Sequence, residues 1–283
     1  WDCCHKTYLS YNGIKKQLKQ RTSRSNYEKW KREFLSYQKT KKKTKRAEKR
    51  LLKKLLRYLL RLLNLHKELI ESKSVKLSNK EIVEMLTITE VYSQQHSKVY
   101  GQVEQIKDRI VSLSKPYIRP IVRGKETKSV EFGAKVNKLQ VDGISFIEHF
   151  SYDAFNEGTR LKNCIGLHQQ LFGKCTHHSG DKIYATNANR SYCSSKKIIT
   201  NFEPKGKQKV QHIEQSKIMR NALNKERGTR LEGSFGNEKN HYLLQKVNAR
   251  NAITEKCWIF FGIMTANAAI IANRKQAAIK AAA

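Results

Sequence analysis

The chain has 283 residues, of which 39% are hydrophobic. This is enough apolar material for one large or two modest packed domains, and it excludes a chain that is disordered throughout. The unusual quantity is charge, because 57 Lys and Arg stand against 24 Asp and Glu, a formal net charge of +33. Such an excess predicts a polyanionic partner, either a nucleic acid or an anionic membrane surface.

The choice between these partners depends on whether an apolar segment could enter a bilayer. The longest apolar run, Trp258 to Ala272, has 15 residues and contains Asn267, whereas a spanning helix needs about 20 mostly apolar residues. We interpret this run as a buried core helix and expect no membrane partner. No basic leader with an apolar run opens the chain, and the six cysteines follow no disulfide spacing. We therefore expect a cytoplasmic, nucleoid-associated protein.

The first hundred residues are typical of long basic helices. Between Lys15 and Ile70 there is neither Pro nor Gly, and the abundant Lys, Arg, Leu and Glu are good helix formers. A second helix is predicted from Asn79 to Lys107. Leucines of the first helical region recur at three- and four-residue spacings with basic residues on the other face, which predicts an amphipathic helix. These leucines are Leu51, Leu55, Leu59, Leu62 and Leu63.

The charges of this region are too one-sided for ion pairing within a helix. From Lys39 to Arg57 there are eleven basic residues and one acidic residue, Glu48, so i,i+4 ion pairs do not account for them. We favour contact with DNA phosphates. A solvated helix face, a calmodulin-type partner and a membrane surface are the alternatives. The candidate phosphate contacts are Lys42, Lys43, Lys53 and Lys54.

After residue 109 the pattern changes from helical to extended, and two prolines exclude a regular helix there. Alternation over Val130–Val136, followed by the turn residues Asp142 and Gly143, predicts an antiparallel hairpin. A helix is predicted over Thr159–Phe172, and the string DKIYA, which starts at Asp181, predicts a short buried strand. Further helices follow to the end of the chain. These elements together predict a mixed α/β domain.

Three strings of this region match the segments of one family in order and spacing. They are RPIVRGKETKSVEFGAKV (Arg119 to Val136), GDKIYATNANRSYC (Gly180 to Cys193) and KERGTRLEGSFGNEKNHY (Lys225 to Tyr242). Each resembles a segment of the RNase H-like DDE transposases encoded by bacterial insertion sequences, and the resemblance extends over residues 109 to 272. It implies an α/β fold with an incomplete RNase H-like catalytic domain at 108–273, a basic long-helix region at 1–107 and a tail at 274–283.

The resemblance also implies which residues carry the chemistry. Asp181 stands where the family has its second catalytic carboxylate, and Glu232 stands where it has the catalytic Glu. Both would bind Mg²⁺ or Mn²⁺, because hard cations prefer carboxylate oxygens, and such ions activate the nucleophile and stabilise the leaving oxygen of a phosphodiester. Lys239 matches a basic position of the family and shares a helical face with Glu232. Other candidate DNA contacts near the motifs are Lys182, Arg227, Arg230, Arg123 and Lys125.

The helix expected around the catalytic Glu departs from the family pattern and from good helix composition. The family has an Arg four residues before this Glu, but Gly228 stands there, with Arg227 and Arg230 on either side. Gly233 and Gly236 each cost a helix about 1 kcal/mol relative to Ala. Close approach of DNA or of a neighbouring strand is expected to compensate.

The first catalytic Asp of the family has no counterpart. The chain begins at Trp1, so upstream sequence is expected to be missing, and Asp2 is a poor substitute. Asp142 and Asp108 are possible third carboxylates, although a hairpin turn and a loop are their ordinary explanations. Catalysis further requires Asp181 and Glu232 to converge on a shared ion.

The predicted function is therefore that of a DNA transposase fragment. It would act on double-stranded transposon ends and target DNA by metal-dependent phosphodiester cleavage and strand transfer, with a homodimer as one possible assembly, and it is expected to be inactive as it stands. One alternative is a non-catalytic basic DNA-binding protein derived from a transposase. Another is a structural helical protein with an RNA partner.

Overall fold

The computed structural model describes residues 1–101, 103–122, 130–206 and 210–282. The chain divides into two compact units, Trp1–Arg119 and Pro120–Ala283. The predicted boundary at 107/108 falls inside the first unit, and residues 274–282 of the predicted tail at 274–283 belong to a long helix of the second. Two of the predicted DNA contacts, Arg123 and Lys125, lie outside the described residues.

The first unit is helical. Its helices are α1 (Asp2–Gln17), α2 (Tyr27–Lys39), α3 (Lys45–Lys73) and α4 (Asn79–Tyr100). The helical region predicted from residue 15 to 70 is therefore divided among three helices, and α4 ends seven residues before its predicted end. Two helix starts are fixed by side chains that satisfy free backbone N–H groups. The Thr44 hydroxyl accepts from Ala47 at the start of α3, and Ser78 and Glu81 form a capping box at the start of α4.

The leucine stripe predicted on α3 forms the centre of this unit. Leu51, Leu55, Leu59 and Leu62 are all buried. Leu62 and Ile88 of α4 are the most completely buried large side chains of the cluster, which also contains Cys4 of α1. The three- and four-residue spacing placed these leucines on one face, and burial of that face joins the helices.

The second unit begins with two short antiparallel ladders. Strand β1 (Pro120–Val122) pairs with β2 (Val130–Phe132), and β3 (Lys135–Val141) pairs with β4 (Ile144–Ser151). The predicted hairpin turn is confirmed: Asp142 and Gly143 have φ of 46° and 77°, the positive values that a tight two-residue hairpin turn requires. A β-bulge interrupts the pairing between Asn137 and Lys138.

The middle of this unit contains α5 (Leu161–Phe172), β5 (His177–His178), α6 (Asn187–Ser195) and β6 (Ile199–Thr200), with β5 and β6 parallel. The helix predicted at Thr159–Phe172 is confirmed over α5. The strand predicted at DKIYA is wrong, because Lys182–Tyr184 form a single 3₁₀ turn. The Asp181 side chain caps that turn, and Thr186 caps α6 directly after it. These local side-chain bonds compete with extended structure.

The chain ends in α7 (Val210–Glu226), a π-helical segment (Arg227–Glu232), α8 (Gly233–His241) and α9 (Ala252–Ala282). The predicted core helix at 258–272 is the central part of α9, and it is only partly buried. Ile259 and Ile263 are buried, whereas Phe260 and Phe261 are exposed. Among the described residues α9 is the helix whose length and composition would suit a membrane span, with 28% of its most apolar window buried.

The fold class of the whole chain is mixed α/β with a large helical majority. Helices make up 63% of it, and the described strands form three separate two-stranded sheets. The mixed α/β class predicted from the sequence is confirmed at this level.

Candidate functional site

The predicted catalytic Glu lies in the π-helical segment Arg227–Glu232, which joins α7 and α8 without a break. Segments of π-helix are rare and are frequent at functional sites. A Cβ atom added at Gly228, Gly233 or Gly236 would meet no described atom within 4 Å beyond its chain neighbours and the adjacent backbone of its own helix. No neighbouring strand of the described residues therefore explains these glycines, and the space beside them is open to an external partner.

Glu232 is exposed, and its carboxylate has a defined partner. Oε1 of Glu232 accepts a hydrogen bond from Nη1 of Arg227 at 2.7 Å, and the two side chains are 56% and 26% exposed. In an α-helix, residues five apart point about 140° away from each other. The π-helical geometry instead pairs residue i with residue i+5, so it brings these two side chains together.

Asp142, which was a possible third carboxylate, is held at the hairpin tip by two arginines. Its Oδ1 accepts from Arg230 Nη1 at 2.5 Å, and its Oδ2 accepts from Arg274 Nη1 at 3.0 Å. The hydrogen bond from Arg230 and the charge of Arg274 lower the pKa of Asp142. Arg230 also pairs with Glu226, at 2.9 Å. The structure therefore places Asp142 in a turn and an ion-pair cluster, as its ordinary explanation predicted.

The other two substitutes for the missing Asp both lie in the first unit. Asp108 is in a loop with φ of 52°, and its backbone carbonyl accepts from the Gln94 side chain at 3.4 Å. Asp2 is in the first turn of α1. Neither residue belongs to the unit that contains Asp181 and Glu232.

Asp181 is exposed three residues after the end of β5. Its Oδ1 accepts from the backbone N–H of Lys182 at 2.7 Å. The residues just before it are bound to α7: the Ser179 hydroxyl donates to the Leu223 carbonyl at 2.9 Å. The Asn201 amide bonds the backbone of Gly180 and donates to Asn224 at 2.8 Å. These contacts fix the Asp181 loop against the C-terminal part of α7.

The two predicted catalytic carboxylates therefore belong to one unit but have different partners. Leu223 precedes Glu232 by nine positions, along the end of α7 and the whole π-helical segment. Carboxylate oxygens suit Mg²⁺ chemically, but Glu232 faces a guanidinium and Asp181 caps a turn. The described residues contain no group of three or more His, Cys, Asp and Glu that could hold a metal ion. In this arrangement the residues do not fit a shared divalent ion.

A buried ion pair near the Glu232 segment was missed by the sequence analysis. Nζ of Lys138 lies 2.7 Å from Oε1 of Glu238, and these side chains are 1% and 6% exposed. The same ammonium donates to the Ser234 hydroxyl at 2.8 Å and lies 4.0 Å from the centre of the Phe235 ring. Burial lowers the pKa of Lys138, while its bond to Glu238 opposes that effect. The pair binds the bulge of β3 to α8, directly after the candidate catalytic Glu.

The other bulge residue reaches the Asp181 segment. The hydroxyl of Tyr184 donates to Oδ1 of Asn137 at 2.6 Å, and the Asn137 amide donates to Glu148 at 2.8 Å. Glu148 is also paired with Arg160. The adjacent positions 137 and 138 thus connect both candidate catalytic segments to one strand. The signal available in the sequence was the adjacent polar pair Asn137 and Lys138 inside a strand. A bulge breaks the alternation of side chains between the two faces of a strand, so two neighbouring polar residues can mark its position.

Asn267, noted as the polar residue of the apolar run, has a structural role. Its side chain accepts from the backbone N–H of Ser145 and donates to the Ser145 carbonyl, both at 2.8 Å. Ser145 is buried, and its hydroxyl lies 3.5 Å from Glu238. Asn267 therefore attaches α9 to β4 by satisfying backbone groups that would otherwise be buried without partners.

The predicted DNA contacts of the first unit fall into two groups. Lys42 and Lys43 are exposed between α2 and α3, with Lys43 lying 5.7 Å from the Tyr37 ring centre. Lys53 lies over the Tyr100 ring at 5.3 Å and Lys54 pairs with Glu33, so both contact the protein itself. The exposed cations concentrate instead in residues 39–50, which we call the basic segment. Its exposed basic residues are Lys39, Lys41, Lys42, Lys43, Lys45, Arg46, Lys49 and Arg50.

The predicted contacts of the second unit are accessible to different degrees. Lys182 and Lys239 are exposed, and Lys239 lies within α8, seven positions after Glu232. Arg227 and Arg230 are engaged with carboxylates of their own helical run. Lys182 and Lys239 are thus the more available of the four for an external phosphate.

Comparison of the chain with known proteins found no match. No family model matches the chain, and neither a curated protein nor a solved structure matches it. A functional assignment therefore depends on the three motifs and on the contacts described above.

Proposed function

We propose that this chain is the DNA-binding part of a DDE transposase, and that residues 1–283, which hold no counterpart of the family's first catalytic Asp, do not cut DNA by themselves. The observation that carries the proposal is the basic segment, where eight exposed Lys and Arg accompany one acidic residue, Glu48. Neutralisation of phosphates is the main source of affinity for nucleic acid. Among the described residues, none of these eight cations forms a salt bridge with a carboxylate.

The structure adds a second source of positive potential in the basic segment. The 29-residue helix α3 begins at Lys45, inside the segment, with Thr44 as its N-cap. The aligned peptide dipoles of a helix leave partial positive charge at its N-terminus, which favours phosphate. Both effects attract the DNA backbone without reading base sequence.

From the motif resemblance, we interpret the second unit as an incomplete RNase H-like domain. Its support is the order of elements: a long antiparallel hairpin, a parallel strand pair with Asp181 just after β5, and a helix that carries Glu232. The ion pairs of two carboxylates support the proposal that the chain does not cut DNA. Arg227 pairs with Glu232, and Arg230 and Arg274 pair with Asp142. The alternative is a non-catalytic DNA-binding protein derived from a transposase, which would bind DNA without a preference for transposon ends.

Titration of fluorescent duplex DNA over a range of salt concentrations tests this function. We expect steep salt dependence and no nicking with Mg²⁺ or Mn²⁺. Replacing Lys41, Lys42 and Lys43 with Gln should lower the slope of log K against log [salt] by about 2 to 3, at about 0.9 for each lost phosphate contact. The matched control replaces Lys174, Lys196 and Lys197, three exposed lysines of the second unit.

The outcomes separate the possibilities. Equal losses in the two triple variants would mean that only total charge matters, and salt-independent binding would end the nucleic-acid assignment. A preference for inverted-repeat ends over a scrambled duplex supports the transposase origin. Equal affinity for both favours the non-catalytic alternative.

A further inference from the structure

Helix α9 has two apolar sides, and only one of them is buried. Ile259 and Ile263 lie on the buried side. The opposite side carries exposed apolar residues at spacings of three, four, seven and eleven, which place them along one face of a helix. We call this side the outer face, and its exposed members are Ile253, Cys257, Phe260, Phe261 and Ile271. The expectation of no membrane partner depends on burial of the apolar run, and the outer face is not buried.

An uncharged pocket adjoins the outer face at the start of α9. Its volume is about 550 Å³, its lining contains no Lys, Arg, Asp or Glu, and Cys257 and Phe261 belong to both the pocket and the outer face. The indole of Trp258 donates to the Leu243 carbonyl at 3.2 Å. The hydroxyl of Thr265 donates to the Phe261 carbonyl at 2.7 Å. These two polar groups of the lining are satisfied within the chain, so the pocket suits an apolar occupant.

The exposed charges of this part of the chain are all positive. Residues 257–273 contain no charged side chain, and the acidic residue just before them, Glu255, is buried. The exposed charged residues from position 246 to 282 are Lys246, Arg250, Lys256, Arg274, Lys275 and Lys280. Of these, Arg274 pairs with Asp142. An apolar face with Lys256 at one end and Lys275 at the other is complementary to an anionic lipid surface, because lysine stems lie along apolar groups while the ammonium stays at the headgroups.

We propose that α9 docks on an anionic lipid bilayer, with the outer face inserted at the boundary between headgroups and acyl chains. Anionic headgroups attract a chain of net charge +33. A second copy of the chain would also cover the outer face, but two chains of this charge repel each other. A DNA backbone offers phosphates and no extended apolar surface, so it does not cover this face.

The helix lies on the bilayer and does not cross it. The uncharged stretch 257–273 is about 25 Å long at the rise of an α-helix, shorter than a hydrocarbon core of about 30 Å. The buried side of α9 is attached to β4 by the hydrogen bonds between Asn267 and Ser145. Insertion is therefore limited to the outer face and to the adjoining pocket, which has room for part of an acyl chain. This partner is additional to DNA, whose proposed binding depends on the basic segment of the first unit.

Sedimentation of the full chain with vesicles tests the docking. We expect binding to vesicles of phosphatidylcholine and phosphatidylglycerol at a 70:30 ratio, and weak binding to phosphatidylcholine alone. Phe260→Gln with Phe261→Gln should lower the affinity at least about tenfold, because two exposed rings, 47% and 63% accessible, no longer enter the bilayer. The matched control is Val83→Gln with Leu86→Gln on α4, at 57% and 65% accessibility, which should change the affinity less than about twofold.

The cations at the ends of the uncharged stretch provide a second comparison. Lys256→Gln with Lys275→Gln should weaken vesicle binding about fivefold more than Lys196→Gln with Lys197→Gln, since both pairs are exposed and both remove two charges. Circular dichroism checks that all variants fold. Duplex DNA binding should be unchanged in the double Phe variant, so loss of DNA binding in the unaltered chain would overturn the proposed function and leave the docking intact.

A fluorophore on Cys257 reports insertion directly, because this cysteine is exposed on the outer face. Acrylodan attached there should shift its emission to the blue on 70:30 vesicles and be quenched by brominated acyl chains, and Cys257→Ser gives the background from other thiols. An unshifted emission, or equal losses in the double Phe variant and its α4 control, would overturn the docking. A dimer in sedimentation velocity that the double Phe variant dissociates would assign the outer face to a second copy instead.

Discussion

The two units of this chain use charge in opposite ways. The first unit, residues 1–119, has 30 Lys and Arg against 11 Asp and Glu, and the second has 27 against 13. In the first unit the exposed cations are densest in the basic segment, and the interior is mostly apolar. In the second, ion pairs enter the interior, as Lys138–Glu238 and Arg160–Glu148 show.

This difference shows two ways in which a strongly basic chain can fold. In the helical unit the leucine spacing of α3 directs apolar side chains inward, so its core is mostly apolar. The second unit has short strands with little apolar surface, and polar networks join its elements. Its stability should depend more on individual polar contacts, and mutations that compare the two units would test this.

Breaking the buried ion pair of the second unit should give the largest effect. Lys138→Met leaves Glu238 buried without its partner and should cost about 3 to 5 kcal/mol of unfolding free energy. The comparison in the first unit is Lys6→Met, which breaks a partly exposed pair with Glu84 and should cost less than about 1 kcal/mol. Urea denaturation measures both. The double variant Lys138→Met with Glu238→Leu should recover much of the lost unfolding free energy. A loss of less than about 1 kcal/mol in Lys138→Met alone would contradict the proposed difference between the two units.

Removing apolar volume should be the most harmful change in the first unit. Leu62 is fully buried between α1, α3 and α4, so Leu62→Ala should cost about 3 kcal/mol through lost burial and an added cavity. Leu60→Ala, at an exposed position of the same helix, should cost less than about 1 kcal/mol. Similar losses at the two positions, measured by urea denaturation, would show that the predicted stripe does not form the core.

Acid should weaken the second unit through His178. Burial lowers the pKa of His178 from 6.5 to about 4, because the charged ring is poorly solvated. The unfolded chain takes up a proton below pH 6.5 while the folded chain does not, so stability is complete above pH 6.5 and is lost as the pH falls towards 4. The loss between pH 7.5 and pH 5 should be about 2 kcal/mol.

His178→Gln should remove the part of the pH dependence of the unfolding free energy that comes from His178. The exposed His241 provides the matched control, and His241→Gln should leave the dependence unchanged. His66 of the first unit also has a pKa lowered by burial, so a smaller acid effect should persist in both variants. Unchanged pH dependence of the urea midpoint in His178→Gln would refute the assignment.

The smallest expected effect concerns a helix start in the first unit. Ser78 and Glu81 satisfy backbone N–H groups at the start of α4, so Ser78→Ala should cost about 1 kcal/mol. Ser97→Ala, at an exposed position near the end of the same helix, should be close to neutral. Equal midpoints in urea for both variants would mean that tertiary packing alone holds the start of α4.

Local patterns predicted several elements correctly for identifiable reasons. The leucine spacing predicted the buried face of α3, and Asp142-Gly143 predicted the hairpin turn, because both depend on residues close in sequence. The strand predicted at DKIYA was wrong for a local reason as well. Two capping side chains, Asp181 and Thr186, outcompeted extended structure there.

The amino-acid sequence by itself determined the charge of this protein, the amphipathic face of α3, the hairpin and the motif positions of Asp181 and Glu232. Only the tertiary structure decided which groups those side chains meet. Lys138 and Glu238 pair across 100 positions, and Asp142 and Arg274 across 132. Periodicity reports which side of an element is apolar, whereas the partner of a polar group depends on how distant elements are brought together.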